Sequence, residues 1–241
     1  MVRALKIKIF ADGADLETIR ALAADPRVSG FTTNPSLMRR AGVEDYRAFG
    51  PAALEAAGGK PVSFEVVGDD YKEMRRQALI IQEWGDAAFV KIPVVTTDGT
   101  STDFLVADLA AAGIALNVTA VFTLDQVHRV CAALEGAAVS SRASIISVFA
   151  GRVADAGRNP IEHVRACAQA LRQRGSRAEL LWASPRQVYD VVLAERANCD
   201  IITMAPDLLA KLPLLGKDLY EFSRETAEMF YRDARAAGYA L

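Results

Sequence analysis

The 241-residue chain is poor in imidazole and thiol, with two histidines and three cysteines. His128 and His163 both lie among helix-forming residues, so a Ser-His-Asp triad or a histidine-based zinc site is poorly supplied. Cys131, Cys167 and Cys199 show no CxxC spacing, and a chain of this length does not need disulfide staples, which predicts a reduced, cytoplasmic setting. No uninterrupted apolar run reaches the ~18 residues of a membrane-spanning helix. The segment Met1 to Phe10 disperses its cations among apolar residues, as a strand does and a signal peptide does not. A dominant charge is also lacking: 28 Lys and Arg stand against 30 Asp and Glu, a formal net charge of −2. Basic residues gather no further than pairs such as Arg39-Arg40 and Arg75-Arg76, so neither nucleic acid nor a membrane surface is an expected partner. No Gly/Ser-rich or Pro-rich linker divides the chain, and residues 1–241 are expected to form one domain.

What the chain does contain is a repeated alternation. Short β-branched runs occur at Lys6 to Ala11, Gly30 to Thr33, Pro61 to Val67, Ala87 to Pro93, Ala115 to Thr119, Ser144 to Phe149, Glu179 to Ala183 and Asp200 to Met204. Most are nearly continuous apolar runs, as suits parallel strands buried on both faces, and each is followed by a helix-length segment. Eight such units in a chain close to the ~250 residues typical of the fold predict a single (β/α)8 TIM barrel. Helix starts agree with this. Asp15 precedes the stripe Leu16, Ile19, Leu22 and Ala23; Thr123 and Gln126 form a capping box; Asn34-Pro35 and Ser184-Pro185 each place a capping side chain before a proline suited to the first helical position. A final helix is expected over 217–241, aromatic enough to pack on a neighbouring subunit or to cover the barrel mouth.

Polar residues break the apolar runs near their C-terminal ends, where barrel active sites are built. They are Asp12, Asn34, Glu65, Lys91, Asn117, Thr119, Ser147 and Ser184. Lys91 is the sharpest, inside Ala87-Ala88-Phe89-Val90-Lys91-Ile92-Pro93. An apolar surrounding disfavours an ammonium, so a lysine placed there can serve as a free amine for Schiff-base formation with a carbonyl. It equally reads as a strand-end lysine reaching for water. Asp12 and Glu65 suit general acid/base work, yet Asp12 also fits a turn, and Glu65 a buried ion pair with Lys91. Arg152 and Arg186 follow the sixth and seventh runs, and with helix-terminal N–H groups they would make a phosphate site; singly, each reads as a surface ion-pair partner.

Taken together, Thr32-Thr33-Asn34-Pro35-Ser36, Val90-Lys91-Ile92-Pro93, Asn117-Val118-Thr119-Ala120-Val121-Phe122-Thr123 and Ser147-Val148-Phe149-Ala150-Gly151-Arg152 resemble, in order and spacing, the motifs of the transaldolase family. The resemblance runs from about Asp12 to Arg186. It implies a barrel in which Lys91 forms a Schiff base with a ketose phosphate and Asp12 moves the proton of the C4 hydroxyl. It further implies that Glu65 and Thr119 hold a shuttle water, and that Asn34, Asn117 and Ser147 hold the dihydroxyacetone unit. Arg152, Ser184 and Arg186 would bind the phosphate. No metal or organic cofactor is implied, the partners being sugar phosphates of carbohydrate metabolism, such as the pentose phosphate pathway, and further copies of the chain in a homo-oligomer. In similar short barrels that act as fructose-6-phosphate aldolases, Gln is usual at the position of Glu65 and Tyr at that of Phe149. Both residues here are of the transferase type, which favours transfer of a dihydroxyacetone unit to an aldose over simple cleavage. The alternatives are an aldolase-type lyase and a non-catalytic barrel that binds sugar phosphate. Gly13-Ala14 stands where hydroxylated residues are common in the family, and Pro185 where an apolar side chain is more usual.

Overall fold

The computed structural model describes residues 5–136 and 142–240. Residues 1–4, which begin the segment read as a strand, and Leu241, the end of the expected final helix, lie outside the described residues. Among the described residues there are eight strands: β1 (Lys8–Asp12), β2 (Val28–Thr32), β3 (Val62–Glu65), β4 (Ala88–Pro93), β5 (Leu116–Val121), β6 (Ile145–Val148), β7 (Glu179–Trp182) and β8 (Ile201–Met204). All pair in parallel with their sequence neighbours, and β8 closes on β1. Helices follow the strands: α1 (Leu16–Ala23), α2 (Pro35–Arg40), α3 (Tyr46–Ala56), α4 (Tyr71–Gln82), α5 (Asp103–Ala111) and α6 (Leu124–Leu134) in the first part. The second part adds α7 (Ala150–Asp155), α8 (Pro160–Gln173), α9 (Asp190–Arg196), α10 (Pro206–Leu209) and α11 (Leu219–Ala236). The fold is a (β/α)8 barrel.

Two apolar layers hold it. The larger lies between strands and helices, where Phe31, Phe64, Ile92, Leu116, Leu180 and Trp182 lose nearly all contact with solvent. The smaller plugs the barrel interior with Phe10, Phe89, Ala115, Ile145, Leu181 and Ile201. Because successive strand side chains point to opposite faces, the apolar runs seen in the sequence supply both layers at once. Gly30 makes room for the plug: a Cβ there would stand 2.7 Å from the Phe10 ring.

Local signals place most helix starts. The Asp15 carboxylate accepts from the Thr18 amide at 2.8 Å, the Thr123–Gln126 capping box is formed, and Asn34 caps α2 with Pro35 at its first turn. Two expectations are revised. Ser184-Pro185 does not open a helix; α9 begins at Asp190, and Ser184 takes φ +61°. The buried Asp190 carboxylate accepts from the Arg186 amide at 2.6 Å and the Gln187 amide at 3.3 Å, so the loop is tied off before the helix starts. The final helix is also shorter than expected. Gly238, at φ +69°, ends it in a Schellman turn, with Gly238 N–H donating to the Arg235 carbonyl and Tyr239 N–H to that of Ala234. No residue of α11 is buried, and none lines the barrel mouth.

Phe64 packs edge-on against Trp84 at 5.1 Å and Phe49 at 6.4 Å between β3 and its covering helices. Phe64→Ala should therefore cost about 3–5 kcal/mol of stability, as a cavity of aromatic size does, measured as the shift in urea midpoint at unchanged m-value.

Candidate active site

The alternation that plugs the barrel also builds the site above it. Two residues beyond Phe10, Phe89, Ala115, Ile145 and Ile201 stand Asp12, Lys91, Asn117, Ser147 and Thr203, on the same inward face and one layer nearer the C-terminal mouth. Strand register sets them side by side: Glu65 pairs with Lys91 and Lys91 with Asn117 across three neighbouring strands. Lys91, only 6% exposed, places its Nζ 2.9 Å from Glu65 Oε2 and donates to the Thr33 carbonyl at 2.8 Å. A buried ammonium is tolerated only when paired and hydrogen-bonded in this way. The two sequence readings of Glu65, ion-pair partner and proton acceptor, thus meet in one geometry. Tyr46 at the start of α3 fixes the β3 end by donating its hydroxyl to the Glu65 carbonyl at 2.9 Å.

Asp12 ends β1 as its last strand residue, so the turn reading does not hold. Burial raises its carboxyl above the usual carboxylate range, opposed first by a hydrogen bond from Thr32 and then by the charges of Lys91 and Arg40. The Thr32 hydroxyl donates to Asp12 Oδ1 at 2.7 Å and lies 2.5 Å from the Thr203 hydroxyl, so that Thr203 donates to Thr32 and Thr32 to Asp12. A second polar chain crosses the floor: the Asn117 amide donates to Ser63 Oγ at 3.0 Å and accepts from Ser147 Oγ at 2.6 Å. Asn117 is fully buried, with both ends of its amide engaged, while Thr119 and Ser147 reach the cavity wall. After Thr119, Ala120 at φ +56° interrupts the β5–β6 register.

The far wall comes from the loops after β6 and β7. Phe149 stacks on Phe122 at 5.6 Å and carries the Arg152 guanidinium 5.3 Å above its ring. A Cβ on Gly151 would stand 1.5 Å from the Ser184 carbonyl oxygen, so only glycine lets these two loops touch. Arg186 forms an ion pair with Asp155 at the end of α7, which joins the loops a second time. Its backbone N–H is held by Asp190, so a phosphate at this wall would meet the Arg186 side chain and not its amide.

A cavity of about 560 Å³ opens among these groups. Every expected site residue borders it except Asn117, which lies beneath the floor. It is also bordered by residues to which the sequence reading gave no role, among them Thr32, Ser36 and Arg40. Thr32 lay within a motif already singled out, and Arg40 within a noted basic pair. No one-dimensional pattern marks Thr203, whose contact to Thr32 exists only because β8 closes on β1.

The chain is similar over most of its length to known proteins of one family. The profile of the family described as "Transaldolase/Fructose-6-phosphate aldolase" matches residues 9–240. A "Probable transaldolase" of Streptococcus equi subsp. zooepidemicus is 33% identical over 224 residues, 92% of this chain and 98% of that protein. Proteins of the same name from Lactiplantibacillus plantarum, 35% identical over 222 residues, 91% of this chain and 96% of that one, and from Brucella anthropi, 32% identical over 225 residues, 92% and 97%, are similar along nearly their whole length.

Because the Thr32 hydroxyl stabilises the Asp12 carboxylate, Thr32→Val should move the Asp12 titration to still higher pH, read by carboxyl carbon NMR across a pH series. An unchanged or lower midpoint would contradict the hydrogen-bond chain.

Proposed function

The chain belongs to the transaldolase/fructose-6-phosphate aldolase family, and from that premise we propose that it is a transaldolase-type transferase acting on sugar phosphates. The observation that carries this reading is a lysine buried among strands, paired with Glu65 at 2.9 Å and opening into the same cavity as Asp12. Lys91 passes its proton to Glu65 and attacks the keto carbon of a ketose phosphate. The carbinolamine hydroxyl leaves as water, with Glu65 and Thr119 positioning the water that shuttles the protons, and an iminium remains. Asp12, as the carboxylate, takes the proton of the C4 hydroxyl; the C3–C4 bond breaks, an aldehyde departs, and its bonding electrons rest in the enamine on Lys91. An acceptor aldehyde then reacts with the enamine, its oxygen taking the proton back from Asp12, and water hydrolyses the new iminium. Asn34, Asn117 and Ser147 hold the three-carbon unit, Asn117 by fixing Ser147 from below; Arg152, Ser184 and Arg186 hold the phosphate. Phe149 supports transfer over cleavage, because a ring without a hydroxyl has no proton to quench the enamine.

The chain's three cysteines are free and buried, and among the described residues no helix is long and apolar enough to cross a membrane. Both facts support a cytoplasmic place of work. A homo-oligomer is proposed on the strength of α11, whose Leu219, Tyr220, Phe230 and Tyr231 are each more than 60% exposed on a helix with no buried residue.

Borohydride reduction in the presence of fructose 6-phosphate should leave a three-carbon adduct on Lys91, located by peptide mapping and absent from Lys91→Ala. No adduct on folded protein would sink the Schiff-base reading, and steady release of dihydroxyacetone without an acceptor would replace transfer by cleavage. For the assembly, light scattering should give a multiple of the 26.0 kDa chain mass, and Phe230→Asp with Tyr231→Asp should reduce it to that of one chain.

A further inference from the structure

The layer that carries the chemistry holds one side chain to which the proposed reaction gives no part. Of the inward residues one step above the plug, Asp12, Lys91, Asn117 and Ser147 all have roles, and Thr203 on β8 has none. It is 5% exposed and does not border the catalytic cavity, so it stays out of reach of a bound sugar. Valine has the same shape and would bury no hydroxyl there, which avoids the cost of desolvating one. Only the hydroxyl distinguishes Thr203 from the residue that packing alone would favour.

That hydroxyl has one partner among the described residues, Thr32 at 2.5 Å. Two facing hydroxyls can share a proton in either direction, and the carboxylate at the other end decides which. Asp12 in its charged form can only accept, and its Oδ1 lies 2.7 Å from the Thr32 hydroxyl. The one proton of Thr32 is therefore committed to Asp12, and toward Thr203 the same oxygen accepts. Without that donor Thr32 would keep its proton but lose the bond that polarises it and fixes its rotamer, and in a low-dielectric interior such chained bonds strengthen one another.

Asp12 depends on the Thr32 bond more than an exposed carboxylate would. Burial raises its carboxyl; Thr32 opposes this first, then the charges of Lys91 on β4 and Arg40 on α2, while Glu65 on β3 adds to the rise. Among the described residues only Thr32 meets Asp12 in a hydrogen bond. Because Thr32 occupies Oδ1, Oδ2 is the more basic oxygen.

We propose that Thr203 is a positioning residue of the transfer reaction, acting through Thr32 to hold Asp12 as the carboxylate that accepts the C4 proton. The inference rests on the transferase reading. In the cleavage step the C4 hydroxyl gives its proton to Oδ2, the C3–C4 bond breaks to release an aldehyde, and the electrons of that bond enter the enamine on Lys91. Addition to the acceptor runs these moves in reverse. Asp12 is charged before cleavage and neutral after it, while both threonines keep their protons throughout.

The test compares the full chain as wild type, Thr203→Val, Thr203→Cys and Thr203→Ser. Two titrations are read in each: the Asp12 carboxyl carbon by NMR, and kcat for fructose 6-phosphate with erythrose 4-phosphate across pH. Thr203→Val should move the Asp12 midpoint and the acid limb of kcat together to higher pH, by about a third of a unit or more, the share of a charge-assisted hydrogen bond that one cooperative donor supplies. Thr203→Cys, close in shape and with only a weak S–H donor, should shift both the same way, and it serves if the valine variant does not fold. Thr203→Ser should return both to the wild-type values, although it packs less well than valine. Lys91 labelling by dihydroxyacetone and borohydride makes or breaks no C–C bond, and it should be unchanged in every variant. An unchanged Asp12 midpoint would overturn the proposal, and a lowered one would mean that Thr32 donates to Thr203 instead. A raised midpoint with an unmoved kcat limb, or no recovery in Thr203→Ser, would overturn it equally. Failure of dihydroxyacetone to label wild-type Lys91 would instead overturn the Schiff-base reading, and the role of Thr203 with it.

Discussion

The ion pair between Lys91 and Glu65 is the constraint around which the barrel's functional end is organised. A cation enclosed by strands has too little water to solvate it, and at 2.9 Å from a carboxylate it is stabilised only if the strands hold that geometry. The register does so: Glu65 and Lys91 are direct partners across β3 and β4, and the Thr33 carbonyl at the end of β2 takes another of the ammonium's protons. Holding the pair also poises it, since the group that stabilises the charged amine is the one nearest to receive its proton.

The layering of the interior gives this pair its surroundings. Beneath it the ring of Phe89 and its neighbours excludes water from the barrel axis. Around it, hydrogen bonds run from strand to strand, Thr203 to Thr32 to Asp12 on one side and Ser147 to Asn117 to Ser63 on the other. Each polar side chain near the plug therefore has a partner before any ligand arrives, which is what buried polar groups require. Asn117 shows the division of labour: buried below the cavity, it acts on the floor by orienting Ser147 and Ser63.

Opposite this rigid floor, two loops form a charged wall by touching each other. Gly151 gives way to the Ser184 carbonyl, and Asp155 pairs with Arg186, so the two guanidiniums of this wall are set by contacts between loops far apart in sequence. The mouth is consequently asymmetric, with the Arg152 and Arg186 cations on the β6–β7 side.

Much of this was legible in one dimension. The eight apolar runs specified a closed parallel barrel because strands buried on both faces cannot alternate, and Asp15, Asn34 and Thr123 marked helix starts because a capping side chain acts within three residues of its own position. Lys91 stood out because a charge inside an apolar run demands a reason. Ser184-Pro185 misled for a local reason: the dipeptide has the form of a helix start, but the Asp190 carboxylate and the Gly151 contact bind that loop from elsewhere. The reach of Arg40, the link from Thr203 to Asp12 and the burial of Asn117 were not legible at all. Sequence alone determined the elements and the chemistry they carry, since periodicity, capping and charge act over a few residues. Only the tertiary structure decided which polar groups meet and which space stays open, because those depend on strand register and barrel closure, which bring together residues as distant as Thr32 and Thr203.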